Sequence, residues 1–161
     1  RNGCFVRNYF IKRCQSQWIL QKDPECLLVG QNNWLSSLSL TDENGFYRAT
    51  QVEMLDENKT NHIFNGQKPE LNPEEVDLNK HFHIHHCLLT PTKILQQMHG
   101  YDEDFKFYGP EDLDMWQRLL ASGLNQHGLD VLSLHLYHPR DVHFLNNTHY
   151  EMDALLRTKN L

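Results

Sequence analysis

An α/β fold is the class this sequence predicts, and three observations predict it. A stretch with apolar residues at helical spacing, Cys4 to Cys14, feeds the compact apolar run Trp18-Ile-Leu20. A second run, Val131-Leu-Ser-Leu-His-Leu-Tyr-His138, alternates apolar and polar in the manner of a strand. Between them Pro110 to Gly123 reads as an acid-capped amphipathic helix.

The elements follow in order. In the first, Val6, Phe10, Ile11 and Cys14 fall on one expected face, with Arg7, Lys12 and Arg13 between them. Trp18-Ile-Leu20 is short and apolar enough for a buried strand, closed by Gln21-Lys-Asp-Pro-Glu-Cys26. From Leu27 to Leu40 helix and strand are equally compatible with the pattern, and Asp42-Glu-Asn-Gly45 is a turn signal. Gln51 to Lys80 is polar and broken by Asn65-Gly, Lys68-Pro and Asn72-Pro, which predicts a long loop. His81 to Leu89 alternates in its first half, predicting a strand with Phe82 and Ile84 on one face and His81, His83 and His85 on the other. Thr90-Pro91 starts a short helix that Gly100 stops. In the acidic helix Pro110 suits the first position, Glu111, Asp112 and Asp114 suit the positive end, and Gly123 suits the stop. Leu113, Trp116, Leu119 and Leu120 mark its expected core face. His135 leaves the last strand opposite its leucines, and residues 150–161 read as a surface helix.

Length and charge narrow the function. A chain of 161 residues supports one domain with a real core. Fifteen basic against twenty-one acidic residues give a formal charge of −6. No basic run is long enough to neutralise a phosphate backbone, so nucleic acid is a poor partner. The cysteines Cys4, Cys14, Cys26 and Cys87 form no CxxC pair, which signals neither a zinc ribbon nor a disulfide framework. No apolar run approaches the roughly 20 residues that span a bilayer.

Three groups of residues carry chemistry. The acids at the mouth of the Pro110 helix suit general-base work on a hydroxyl, or serve only to cap the helix. Asp23 and Glu25, beyond the carboxyl end of the first strand, suit a hard divalent ion carrying a diphosphate, or belong to an ordinary Asp-Pro turn. The imidazoles of His81, His83 and His85 form either a metal-binding strand face or a polar one.

In combination these motifs resemble family-2-type glycosyltransferases of the GT-A fold. Arg7-Asn8, the strand Trp18-Ile-Leu20, Asp23-Pro-Glu25 and Trp34-Leu35 resemble that family's "ARN … strand … DxD … WL" run. Gly100-Tyr-Asp-Glu-Asp-Phe105 through Gly109-Pro-Glu-Asp-Leu-Asp114 to Arg118 and Gly123 resembles its "GGFDE-x-F … G-x-EDxD … R … G" run, and His135-Leu-Tyr-His138 its late histidine. Two departures stand out: Glu25 replaces the second Asp after Lys22, and His99 replaces the first Gly. No Gln-x-x-Arg-Trp motif follows the acidic helix, so processive synthases are a poor match.

The resemblance implies a mixed sheet flanked by helices over 1–161, a partial GT-A catalytic domain whose N-terminal nucleotide-binding βαβ half is expected upstream of Arg1. It makes 36–80 a variable acceptor-side region. It implies transfer of a sugar from a nucleotide diphosphate, a UDP-sugar first, to a carbohydrate or other hydroxyl acceptor, with inversion and without processivity. Asp112 is then the general base, Glu111, Asp114 and Trp34 acceptor-binding, and Arg7 and Asn8 nucleotide-binding. Asp23, Glu25 and His135 are expected to hold Mn²⁺ or Mg²⁺, with His138 as a further candidate ligand. A carboxylate at a helix N-terminus is expected to stay ionised. The alternative is an inactive fragment of the same fold that binds carbohydrate or a partner. A cytoplasmic location is the expectation, with the Golgi lumen as the alternative if an anchor precedes Arg1.

Overall fold

The computed structural model describes residues 3–30, 42–80, 83–105 and 110–139. Helix α1 spans Gly3–Arg13 and leads to strand β1, Trp18–Gln21, and strand β2, Cys26–Gly30. Strand β3 is Gly45–Met54, helix α2 Glu57–Phe64 and strand β4 Glu74–Glu75. A single 3₁₀ turn, Ile84–His86, precedes strand β5, Leu88–Pro91, and helix α3, Thr92–Gln97. Helix α4, Pro110–Ala121, and strand β6, Asn125–His135, follow.

The strands form one mixed sheet in the order β1-β5-β3-β6-β2, with β4 added beside β3. β3 and β6 run parallel at its centre, and the other pairings are antiparallel. Helices α1, α3 and α4 share a core with the sheet through Cys4, Ile11, Leu95, Met115, Leu119, Phe46 and Leu88. Ile63 of α2 joins a smaller cluster of Leu55, Leu134 and Leu136. Each fully buried Leu, Met or Phe contributes about 1.5–3 kcal/mol relative to exposure.

The expected α/β class is therefore present, with a mixed sheet flanked by helices. Several expectations need correction. Gln51–Lys80 is not a bare loop, since it holds the end of β3, all of α2 and β4. β3 escapes a hydrophobicity reading because its buried polar residues find their partners across the following connection. Arg48 donates to the carbonyls of Lys80 at 2.7 Å and Leu78 at 3.3 Å. Glu53 accepts from Lys59 Nζ at 2.7 Å and from the Asn72 amide at 2.6 Å. Asp56 caps α2 by accepting from the Lys59 amide.

Among the described residues, the stretch from His83 to His86 is not the expected histidine strand. His83 has φ 61°, and the chain closes into the 3₁₀ turn before β5 begins. A positive φ at a non-glycine residue breaks strand alternation. Among the described residues β1 lies at the edge of the sheet, with Leu20 partly exposed, rather than buried in it. The undecided stretch after Leu27 is strand as far as Gly30, and β6 begins at Asn125, earlier than the alternation indicates. α3 starts at Thr92, because Thr90 and Pro91 still pair with β1. Trp34, His81, and the expected helix over 150–161 lie outside the described residues, as does the side chain of His85.

Candidate active site

Two helices turn polar residues inward, and the site begins there. In α1 the buried residues are Cys4, Asn8 and Ile11, while Val6 and Phe10 of the expected apolar face are exposed. Arg7 follows Cys4 by three and precedes Ile11 by four, so it shares their inward side. In α4 the inward stripe is Glu111 or Asp112, Met115 and Leu119, and Leu120 of the expected face is exposed. The acids thus lie on the core-facing side of α4, over its first turn.

Arg7 joins the two helices to the turn after β1. Its guanidinium donates from Nη1 to Asp112 Oδ1 at 2.9 Å and from Nη2 to Asp23 Oδ1 at 3.2 Å. Glu111 Oε1 lies 3.9 Å from Nη1, and the guanidinium sits 4.9 Å from the centre of the Tyr101 ring. The Tyr101 hydroxyl hydrogen-bonds Asp112 and accepts from Gln21 Nε2 at 3.0 Å. One cation therefore faces three carboxylates.

Burial decides how two of them, Asp112 and Asp23, titrate. Desolvation pushes Asp112 up to about 6 and Asp23 up to about 6; Arg7 offsets part of this in both. The helix end, worth up to roughly 1 kcal/mol at a surface, does not outweigh that desolvation, and Asp112 is a stronger base than an ordinary carboxylate while still ionised at neutral pH.

Asn8 fixes the loop that carries Tyr101. Its amide donates to the Tyr101 carbonyl at 2.7 Å and to Glu103 at 2.9 Å, and its carbonyl oxygen accepts from the Tyr101 amide at 2.7 Å. Gly100 makes this approach possible: its φ is +72°, and a Cβ there would sit 2.1 Å from Asn8 Oδ1. Asp114 pairs instead with Arg118 at 2.8 Å, one helical turn on.

The Asp-Pro-Glu turn parts its two acids. Asp23 goes to Arg7, whereas Glu25 Oε1 lies 3.8 Å from His135 Nε2 and 3.6 Å from His138 Nε2. Glu25, His135 and His138 each offer a ligand atom within 4.8 Å of the others, and Asp23 is not of that group. The turn is stapled by Lys22, which donates to the carbonyls of Asp23 at 3.1 Å and Cys26 at 2.7 Å. Lys22 is thus engaged with carbonyls where the sequence sets it beside two acids. β6 delivers His135, because Cys26 and His135 are register partners and the Leu136 amide donates to the Glu25 carbonyl.

In a second, buried group, Cys26, His86 and His135 likewise bring their ligand atoms within 4.8 Å of one another. His83 belongs to neither group among the described residues, and the other two members of the expected three-histidine face, His81 and the His85 side chain, lie outside them. Cys26, His86 and Tyr101 are the residues that sequence reasoning missed. Tyr101 carried a signal, as the aromatic of the Tyr-Asp-Glu run; the separation of Cys26 from His86 carried none. A hollow of about 520 Å³ opens beside Arg7, lined also by Phe10, Ile19, Leu20 and Lys22. Another of about 290 Å³ lies against His135, Tyr137 and His138.

Residues 87–142 match a protein family described as the N-terminal domain of galactosyltransferase. That segment, about a third of the chain, carries Tyr101, the acid pair of α4 and both late histidines. The match supports a glycosyltransferase family, with sugar transfer in general and a sugar donor and acceptor as partners. No curated protein matches the chain. Among the described residues no helix is long and apolar enough to cross a membrane.

Proposed function

We propose that this chain carries the catalytic face of a GT-A-type, family-2-like glycosyltransferase, moving a sugar from a nucleotide diphosphate to a hydroxyl acceptor. The observation that carries the reading is Asp112. It lies inside the galactosyltransferase match, at the first turn of a packed helix, with its carboxyl held near about 6 by burial. A base poised close to neutrality takes a hydroxyl proton more effectively than one near 4.

In this reading the acceptor oxygen gives its proton to Asp112 and forms a bond to the anomeric carbon as the bond to the diphosphate breaks. Attack from the opposite side inverts that carbon. Glu111, next to the base and buried, binds acceptor hydroxyls, as Trp34 does from the stretch outside the described residues. Arg7, which retains an exposed edge and lines the larger hollow, meets the donor phosphates. The role expected of Asn8 shifts: its amide holds the Tyr101 loop, and it acts on the donor only through Arg7's helix. Asp114, ion-paired to Arg118, braces α4.

The donor set of Glu25, His135 and His138 fits a divalent ion, with one carboxylate and two imidazoles close enough to converge. Mn²⁺ suits it better than Mg²⁺, which prefers oxygen alone. Such an ion supplies positive charge against a diphosphate leaving group. Asp23 leaves the expected ligand set and becomes Arg7's second anchor. A UDP-sugar is the first donor to try.

The test is transfer from UDP-sugars to saccharide acceptors with Mn²⁺, by the protein and by Asp112→Asn. The reading expects transfer to fall by at least about 100-fold in the variant while UDP still binds. Transfer unchanged in Asp112→Asn, or no transfer and no UDP binding by the parent, would refute it.

A further inference from the structure

The sugar-transfer reading makes no use of Cys26 or His86, which lie behind Glu25 and share His135 with it. Cys26 opens β2 and His135 closes β6, and the two are register partners, so their side chains leave the sheet on one face. His86 arrives from elsewhere, at the end of the 3₁₀ turn, with its ring centre 5.1 Å from that of His135. Three segments far apart in the sequence thus bring a thiol and two imidazoles to one point of the interior. Cys26 is 0% exposed, His86 1% and His135 6%.

The spacing suits coordination. The sulfur and ring nitrogens all lie within 4.8 Å of one another. An equilateral triangle of that limiting side has its centre at most about 2.8 Å from each corner, against about 2.3 Å for zinc–sulfur and about 2.0 Å for zinc–nitrogen bonds. Side-chain shifts below about 1 Å therefore close the site. The chemistry narrows the ion, because thiolate with imidazole is the donor set of Zn²⁺-class ions, whereas Mn²⁺ and Mg²⁺ prefer oxygen.

We infer that Cys26, His86 and His135 form a buried binding site for a Zn²⁺-class ion. The site is separate from the Glu25–His138 side, although His135 borders both. An imidazole has two ring nitrogens, so one can face each side. An ion here cross-links the start of β2, the end of β6 and the 3₁₀ turn, and it stabilises the fold by binding only the folded chain. It shares His135 with the proposed Mn²⁺ ligands but takes nothing from Asp112, Glu25 or His138, so ligation by Cys26 and His86 is tested apart from sugar transfer.

Cobalt reports thiolate ligation directly. Titration of the metal-stripped protein with Co²⁺ is expected to saturate at one thiolate-ligated ion, with a sulfur-to-cobalt charge-transfer band in the near ultraviolet that Zn²⁺ removes. Cys26→Ser should abolish the band, and His86→Gln should weaken Co²⁺ binding at least about tenfold. Glu25→Gln and His138→Ala should keep the band. Zinc-edge X-ray absorption on the unaltered protein decides the matter without any variant: one sulfur at about 2.3 Å with nitrogen near 2.0 Å is expected. A zinc shell without sulfur, no charge-transfer band in the parent, or a band that survives Cys26→Ser overturns the site.

Discussion

Arg7 Nη1 lies 2.9 Å from Asp112 Oδ1, joining residues 105 positions apart, and its other terminal nitrogen holds Asp23. The guanidinium is the positive charge between two buried acids. Replacing it with Gln leaves both carboxylates without the guanidinium that joins them. Arg7→Gln should lower stability by about 1–3 kcal/mol, less than for a fully buried pair because the Arg7 side chain is 28% exposed. Urea unfolding measures this, and a loss below about 0.5 kcal/mol contradicts it.

The acid pair also sets a pH dependence of stability. The Asp112 carboxyl sits at about 6 in the folded protein against an ordinary 3.8, through burial. A group that binds its proton more tightly when folded adds stability below about pH 3.8, and that contribution is lost as pH rises through about 6. The amide of Asp112→Asn does not titrate, and Asp23 is common to both proteins. The parent should therefore lose stability relative to the variant, on the order of 2 kcal/mol, between about pH 4 and 7. Parallel denaturant titrations across that range check the sign, and a constant difference contradicts it.

Gly100 should not tolerate a side chain. Its φ of +72° already disfavours alanine, and the new Cβ would collide with Asn8 Oδ1. Gly100→Ala should cost about 2–4 kcal/mol, combining the left-handed backbone with the lost clamp on Tyr101. Gly66→Ala is the control, because its φ is +71° and nothing lies within 4 Å of its Cβ. It should lose only the backbone share, about 1 kcal/mol. Equal losses in the two variants contradict the clamp.

The split of the Asp-Pro-Glu turn predicts unequal roles for its acids. Glu25→Gln and His138→Ala should each raise the Mn²⁺ concentration for half-maximal transfer about tenfold or more. Asp23→Asn should leave that concentration within about twofold, since Asp23 pairs with Arg7. Mn²⁺ titration of the initial rate distinguishes them.

Much of the framework could be read from residue pattern. The stop at Gly123 and the start at Pro110 bound α4, and Gly3 to Arg13 is helical where apolar spacing indicates. Which side of each helix faces inward could not be read that way. Hydrophobic periodicity favours Val6 and Phe10 in α1, yet Arg7 and Asn8 lie on the inward side because the acids and the Tyr101 backbone partner them there. α4 differs for the same reason, with Glu111 and Asp112 on the stripe of Met115 and Leu119. A period counts apolar residues, whereas a site buries polar ones whose partners are distant in sequence. β3 was hidden similarly, since Arg48 and Glu53 find partners across a connection that looks like loop. Of the expected ligands, Glu25 and His135 meet, while Asp23 is drawn away by a guanidinium whose position no local motif encodes.

The pH dependence of kcat/KM for sugar transfer, in the parent and in Asp112→Asn, tests the central claim most directly. The parent should lose activity toward low pH with a midpoint near about 6, where burial holds the Asp112 carboxyl, and the residual activity of the variant should be flat through that range. An acid limb that persists unchanged in Asp112→Asn contradicts the assignment of Asp112 as the group that takes the acceptor's proton.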